Sequence, residues 1–155
     1  MADNVSLSIS VDGIGDYLKG MLDRAGLVRG WLNRVAYPMI IKAQQMRWMT
    51  EGASEGDGWA PLKNESYRKY KLKKYRDYPG GGRKLLIATG RLYQGMDGEN
   101  TADHYKLVTD TSLEVGTTVS YAKYVNETRN IVDLGPETVD ALVSGLSDYI
   151  ITGKT

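Results

Sequence analysis

The residues best equipped for chemistry by type and spacing lie in one stretch, YRKYKLKKYRDYPGGGRK, at residues 67–84. The stretch contains eight basic side chains and a single carboxylate, that of Asp77. A set of basic side chains of that size could neutralise several phosphates. The basic residues are Arg68, Lys69, Lys71, Lys73, Lys74, Arg76, Arg83 and Lys84. The interleaved tyrosines, which could stack on exposed bases, are Tyr67, Tyr70, Tyr75 and Tyr78. The pattern is therefore compatible with a nucleic-acid contact.

The same stretch is also compatible with a protein contact. On a helix, which turns about 100° per residue, the four tyrosines fall within an arc of roughly 140°, while the basic residues spread around the whole circumference. Such a helical or extended arm would lie on a partner by its tyrosines, with its charges largely solvated. Tyrosine and arginine are also enriched at protein interfaces. The residues alone leave both interpretations open.

Catalysis finds little support in the sequence. The chain has no cysteine and one histidine, which excludes thiolate and multi-histidine metal sites. No serine lies in a G-x-S-x-G elbow, and the glycines of DGIGDYLKG and GGGRK do not match nucleotide-binding spacings. A small hydrolase would need a substrate pocket around His104, for which a solvated or hydrogen-bonded role is expected. We therefore predict no catalytic residue, no cofactor and no metal.

Alternating and helical patterns predict the elements that position this stretch. VSLSISV places Val5, Leu7, Ile9 and Val11 on one face of a strand. Residues 14–49 follow a helical pattern, with a break expected near Gly26 or a kink at Pro38. Its apolar positions are Leu18, Met21, Leu22, Ala25, Val28, Leu32, Val35, Met39, Ala43 and Met46. Glycines and a proline then predict a long loop over residues 50–85, in which Trp59 serves as an anchor.

After the loop, residues 85–96 predict a short helix, and HYKLVTD with SLEVGT predicts a hairpin in which Tyr105 and Leu107 face Leu113 and Val115. Residues 119–127 predict another short helix. A final helix begins at Pro136, with Glu137 and Asp140 near its positive end. Its predicted apolar stripe is Val139, Leu142, Val143, Leu146 and Ile150.

These elements together predict an α+β fold. A small antiparallel sheet packs against a long N-terminal helix and a C-terminal helix, with a long extended loop between them. The length of 155 residues is that of a single domain, residues 1–155, with a mobile basic arm at about residues 50–85.

Charge is distributed unevenly although the net charge is only +1. Residues 1–50 carry 6 basic and 4 acidic groups, residues 51–90 carry 9 and 5, and residues 91–155 carry 5 and 10. A basic middle and an acidic end suit head-to-tail contacts between copies of the chain as readily as contact with DNA. No window approaches the roughly 18 apolar residues of a membrane span, so no membrane contact is expected.

Three segments in order, MRWMTEGASEGDGWAPLKNESYRKYK, LLIATGRLYQGM and LEVGTTVSYAKYVNE, resemble the phage virion morphogenesis family. This family comprises tail-completion or neck proteins of tailed phages, including Mu-type G proteins. The resemblance covers roughly residues 35–150. The matching scaffold positions are Trp59, Pro61, Leu62, Thr89, Gly90, Leu92, Gly116, Thr117, Tyr121 and Ala122. The chain departs from the family at Asn126 and Glu127, where histidine and then glycine are usual, and in VDLGP, which only partly matches a proline-phenylalanine-leucine-glycine segment.

The resemblance implies a structural virion protein rather than an enzyme. It would act in tail completion or head-tail joining as a subunit of a homo-oligomeric, sixfold neck ring, and it would contact other neck and tail proteins. It would be made in the host cytoplasm and end in the virion, at the neck or the head-proximal end of the tail. The basic stretch would be the assembly arm, with Pro79 to Gly82 as its hinge. The alternative is a DNA-binding protein that uses the same arm, for example on genomic DNA in the neck lumen.

Overall fold

The computed structural model describes residues 5–10, 28–78, 81–98 and 102–152. Within them the chain forms β1 (Val5–Ser10), α1 (Val28–Trp31), a π-helical turn (Leu32–Ala36), α2 (Tyr37–Met49) and α3 (Glu65–Lys74). These are followed by α4 (Arg91–Asp97), β2 (His104–Val108), β3 (Ser112–Thr117), α5 (Ala122–Arg129) and α6 (Pro136–Thr152). The predicted α+β class is confirmed. Predictions for residues 11–27, including the break near Gly26, lie outside the described residues.

A three-stranded antiparallel sheet in the order β1-β3-β2 is the centre of the fold. β1 pairs with β3 so that Leu7 lies opposite Val115, and β2 pairs with the other edge of β3. The predicted strand and hairpin are therefore present. β3 is the most buried strand because it has a neighbour on both sides, and Leu113 and Val115 are almost fully buried.

The predicted facing of the hairpin is wrong by one residue. Val108 lies opposite Leu113 and Lys106 opposite Val115, whereas Leu107 lies opposite Glu114. Thr109 and Ser112 close the hairpin around the two residues Asp110 and Thr111, and an even-numbered loop fixes this register. Leu107 is consequently exposed rather than turned toward the core.

Lys106 can occupy the inward face of β2 because this strand is at the edge of the sheet. The Lys106 ammonium lies 3.6 Å from the centre of the Tyr37 ring. It also donates to Asn33 Oδ1 at 2.5 Å. Burial lowers the pKa of Lys106. These contacts from α2 and the π-helical turn hold the ammonium beside the sheet while Lys106 as a whole stays exposed, an arrangement that the alternation rule does not anticipate.

The long N-terminal helix changes its hydrogen-bond pattern just before Pro38. The Tyr37 amide donates to Leu32 O, five residues back, and α2 resumes from there. Proline lacks the amide that would bond to residue 34, and a π turn adds one residue to the inward face. Ala36 and Ile40 are therefore buried. The predicted inward positions Val35 and Met39 are half-buried and pack against the core, whereas Met46 is exposed, so the predicted stripe is wrong at Met46.

The C-terminal helix begins at Pro136, as predicted. The Glu55 carboxylate accepts hydrogen bonds from the Gly135 amide at 2.8 Å and the Thr138 hydroxyl at 3.1 Å. A carboxylate is favourable there because the amino end of a helix is partially positive. The loop after α2 thus holds the start of α6.

Two apolar clusters make up the core. The first lies between the sheet, α1 with α2, and α6, and includes Trp31 stacked near Tyr149 with ring centres 6.5 Å apart. The second surrounds Trp48 at the end of α2 and contains Leu92, Met96 and Ala122. α2 contributes to both clusters and so joins them into one body.

Residues 50–85, predicted as one long extended loop, contain the helix α3. The helix predicted at residues 85–96 begins at Arg91, and residues 85–90 form bends instead of a helix. The helix predicted at 119–127 runs from Ala122 to Arg129. Among the described helices none is both long and apolar enough to cross a bilayer.

Candidate interaction surface

α3 carries most of the predicted contact arm and is exposed along almost its whole length. Of its ten residues, Lys71 is buried and the other nine are exposed. Asn64 Oδ1 accepts the Tyr67 amide at 3.1 Å and so caps the helix. Glu65 in the first turn and three lysines in the last suit the helix dipole. A helix of ten residues is marginal in water by itself, so α3 depends on its few contacts.

Lys71 attaches α3 to the body of the protein. Its ammonium donates to the carbonyls of Lys84 at 2.5 Å and Leu85 at 2.6 Å. Burial lowers the pKa of Lys71; Glu51 opposes that shift and Arg129 adds to it. With 4% of its surface exposed, Lys71 cannot contact a partner in this conformation. Its prediction as a contact residue of the arm is therefore wrong.

The glycines after α3 are packed rather than free. A Cβ on Gly82, whose φ is +72°, would lie 2.7 Å from Lys71 O, and a Cβ on Gly81 would lie 2.1 Å from Tyr75 O. The Gly82 amide donates to Ile87 O at 3.0 Å. The described half of the predicted hinge is thus a close approach of two main-chain segments, which glycine permits. Pro79 and Gly80 lie outside the described residues.

Further contacts hold the segment after the glycines against the end of α2. The Glu51 carboxylate accepts the Leu85 amide at 2.7 Å, and the Lys84 ammonium donates to Met49 O at 2.5 Å. Between this segment and α3 lies a groove of about 360 Å³, lined also by Pro61 and Leu62. Described residues of the predicted mobile arm thus make specific contacts with the rest of the chain.

Four tyrosines and one lysine form a continuous row along α3 and beyond it. The ring centres of Tyr67 and Tyr70 lie 6.2 Å apart, and so do the ring centres of Tyr75 and Tyr78. The Lys74 ammonium joins the pairs, at 5.2 Å from the Tyr70 ring centre and 5.4 Å from that of Tyr75. Tyr67, Tyr70 and Tyr78 are about half exposed. We call Tyr67, Tyr70, Lys74, Tyr75 and Tyr78 the tyrosine row. The tyrosines therefore cluster, as their helical spacing predicts.

Six of the eight predicted basic residues are exposed. Lys84 is half-buried, like Tyr75, and the exposed six are Arg68, Lys69, Lys73, Lys74, Arg76 and Arg83. Arg68 lies 3.7 Å from Glu65, and Arg76 lies 3.5 Å from Asp77. Exposed pairs of this kind contribute little to stability. The region around α3 therefore remains strongly positive.

Trp59 anchors the loop that leads into α3. Its ring meets Trp48 edge to face, with centres 5.2 Å apart, and covers Gly52, where a Cβ would lie 2.8 Å from the Trp59 ring. The Trp59 amide donates to Glu51 O at 2.7 Å. The predicted anchor role is therefore present, and the loop is held to the end of α2.

Arg47, which the sequence did not single out, holds the segment before α6. The Arg47 guanidinium donates to the carbonyls of Asn130 and Asp133, each at 2.5 Å. Burial lowers the pKa of Arg47, while Asp133 and Glu55 act in the opposite direction. Its helical position, next to Trp48 and flanked by methionines, gave no signal of this role.

Asp103 brings two of the family-like motifs together. Arg91, directly after Thr89 and Gly90, donates to both Asp103 oxygens, at 2.7 and 2.8 Å. The Asp103 main-chain carbonyl accepts the Thr117 hydroxyl at 2.9 Å. Gly90 is the N-cap of α4 with a left-handed φ of 88°, so the chain turns directly before Arg91.

The remaining scaffold positions lie in β3 and in or beside the second apolar cluster. Gly116 lies inside β3 between Ser6 and Tyr105 on the neighbouring strands. The strand ends at Thr117, whose hydroxyl accepts the Val119 amide at 3.2 Å and so stabilises the turn that follows. Leu92 and Ala122 are buried in the second cluster. Tyr121 is exposed beside them.

His104 is engaged through both ring nitrogens. Nδ1 lies 2.8 Å from Gly95 O and therefore donates to it, which leaves Nε2 to accept the Tyr37 hydroxyl at 3.2 Å. This agrees with the expected hydrogen-bonded role, and neither nitrogen is free to act as a base toward a substrate. Among the described residues no group of three metal-ligating side chains is present.

α6 presents a second exposed surface, part of which was predicted to belong to the core. Val139 and Val143 were predicted to point inward, yet they are 42% and 51% exposed, and Ile151 is 73% exposed. Leu142 and Leu146 are buried as predicted, Ile150 packs against the core, and Tyr149 completes the buried stripe. We call the exposed set Asp140, Val143, Ser147, Asp148 and Ile151 the α6 outer face. Its spacing of three and four residues places it on one side of the helix.

No family model, curated protein or solved structure matches the chain.

Proposed function

We propose that this protein is a structural subunit of a tailed-phage virion, acting in tail completion or head-tail joining as part of a neck ring. The proposal starts from the ordered resemblance of three segments to the virion morphogenesis family. The observation that carries it furthest is the exposure of α3, a helix with one buried residue and a row of aromatic side chains in solvent. Such a helix suits a protein that works by contact with other subunits.

The surroundings of the family-like residues support a scaffold rather than a catalyst. Arg91, Asp103 and Thr117 connect α4 to the sheet, and Trp59 fixes the loop before α3. His104 has both ring nitrogens occupied. On this basis we propose a role without catalysis and without a cofactor.

Electron microscopy of the phage particle tests the proposal directly. Particles assembled with the protein fused to a compact tag should show extra density at the neck or at the head-proximal end of the tail. Particles made without the protein should show heads and tails that fail to join, or incomplete tails. A complete, infectious particle that lacks the protein would overturn the proposal.

A second candidate function, contact with DNA in the neck lumen, is supported by the six exposed basic residues around α3. If each met one phosphate, the affinity for duplex DNA would fall with salt with a log-log slope of about 5. Fluorescence anisotropy with a labelled duplex, measured from low to physiological salt, decides the matter. Absence of binding at low salt would exclude this function.

A further inference from the structure

Two exposed helical surfaces of this protein are opposite in charge and each carries exposed apolar groups. Around α3 the tyrosine row is accompanied by four exposed cations and one carboxylate within the helix, namely Arg68, Lys69, Lys73, Lys74 and Glu65. α6 contains three carboxylates, Glu137, Asp140 and Asp148, all exposed, and no basic residue. The two helices therefore complement each other.

We infer that the tyrosine row of one copy packs on the α6 outer face of a second copy, and that this heterologous contact builds the oligomer. The inference deepens the proposed function, on which it rests, by naming the two surfaces that meet. Tyr67 and Tyr70 would cover Val143, while Lys73 and Lys74 would approach Asp148.

Another copy is the partner we infer because the same chain carries both complementary surfaces, and among the described residues neither surface is covered. Tyr70 is 50% exposed and Val143 is 51% exposed in the monomer. Each helix also lacks what it would need to pair with itself: α3 would set lysine against lysine, and α6 would set aspartate against aspartate. Like charges at such a contact cost affinity. When the two surfaces of one copy meet two different neighbours, a contact of this kind leads to a closed ring or an open filament.

The sizes of the two surfaces are compatible. α3 is about 15 Å long and α6 about 25 Å long at 1.5 Å per residue, so α3 can lie along the outer face without overhang. Tyrosine is suited to this role because it buries a large area with few rotatable bonds. A helix pair is a modest interface, but closing a ring multiplies its effect because each subunit makes the contact twice.

A second copy is favoured over DNA as the occupant of the row. The Tyr67 and Tyr70 rings already lie against each other, and Lys74 lies over Tyr70, which limits the ring faces that bases could stack on. By contrast, every copy of the chain that carries a tyrosine row also carries an acidic helix with exposed valine and isoleucine.

A charge exchange in the full-length protein tests the pairing. The α3 variant is Lys73→Glu with Lys74→Glu, the α6 variant is Asp140→Lys with Asp148→Lys, and the combined variant carries all four changes. The matched control is Arg29→Glu with Arg34→Glu, which reverses two exposed cations near the π-helical turn. Analytical ultracentrifugation over a range of concentrations measures self-association, and circular dichroism verifies folding.

We expect each paired variant to weaken self-association by at least about tenfold, the combined variant to recover most of that loss, and the control to match the wild type. Equal association of the wild type and the α3 variant, a combined variant as weak as its parents, or a wild-type chain that stays monomeric would overturn the inference. So would an α3 variant that loses only duplex binding, since α3 would then be a DNA contact. Separate results decide the proposed function. If rings form at the neck without α3, the proposed function stands and the α3–α6 contact is refuted. If α3 pairs with α6 but the protein has no place in the particle, the proposed function alone is refuted.

Discussion

The Lys71 ammonium donates to the main-chain carbonyl of Lys84 at 2.5 Å, and thereby fastens the exposed helix α3 to the segment that follows it. A second bond, to Leu85 O, completes the attachment. Lys71 thus serves the fold, while its neighbours Lys73 and Lys74 face solvent. This division determines which substitutions inform on function and which only release the helix.

Replacing Lys71 with methionine should loosen α3 while most of the protein stays folded. The change keeps the aliphatic stem but leaves two carbonyls without their charged donor, and hydrogen bonds to charged groups contribute about 1.5–3 kcal/mol. Hydrogen exchange measured by mass spectrometry should show faster exchange for α3 than in the wild type, with little change in α2. The matched control, Lys73→Met, alters an exposed lysine and should leave exchange unchanged. Equal protection in Lys71→Met and the wild type would refute the attachment.

Gly82→Ala should destabilise the same region for a different reason. An added Cβ would lie 2.7 Å from Lys71 O and 2.9 Å from Leu72 Cα, in a backbone conformation that alanine rarely adopts. Main-chain atoms on both sides cannot yield easily, so we expect a loss of about 1–3 kcal/mol in the free energy of unfolding, measured by urea denaturation. Gly56, with φ +150° and no atom within 4 Å of an added Cβ, provides the comparison, and Gly56→Ala should cost less. A cost for Gly82→Ala no larger than that for Gly56→Ala would favour the hinge interpretation.

The hairpin register predicts unequal effects of two similar leucines. Leu113 is fully buried in the first core cluster, whereas Leu107 is 45% exposed. Leu113→Ala should lower the free energy of unfolding by about 2–5 kcal/mol, as for a buried leucine, and Leu107→Ala by less than about 1 kcal/mol. Urea denaturation of both variants measures the difference. Similar losses for the two would instead support the facing that the alternation alone predicts.

The parts of this fold that the sequence predicted depend on local patterns. Alternation located β1, and the proline at 136 located the start of α6. The errors arise where a contact distant in sequence decides the outcome. Lys106 lies opposite Val115, where Tyr37 and Asn33 contact its ammonium, and no rule based on neighbouring residues includes these contacts.

The candidate site followed the same rule. The clustering of tyrosines was readable from helical spacing, and the row is continuous in the structure. The burial of Lys71 could not be predicted from the sequence, because it depends on the main-chain carbonyls of residues 84 and 85. These carbonyls reach Lys71 only after the chain has turned at the glycines. The exposure of Val143 likewise depends on the direction from which α2 approaches α6.

The ion pair between Arg91 and Asp103 predicts how the protein responds to acid. Hydrogen bonding from Arg91 is the largest cause that lowers the pKa of Asp103 below its ordinary 3.8. A carboxylate with a depressed pKa in the folded state stabilises that state above pH 3.8, and the contribution is lost as the pH falls through the folded-state pKa. NMR titration of the Asp103 side-chain carboxyl carbon should therefore give a midpoint below 3.8 in the wild type. In Arg91→Met the midpoint should return toward 3.8, while Arg29→Met, which alters a cation 3.9 Å from the exposed Asp110, should leave Asp103 unchanged. An Asp103 midpoint at or above 3.8 in the wild type would show that the pair does not hold the charge in solution, and Asp103 would then keep its main-chain bond to Thr117 but not its tie to Arg91.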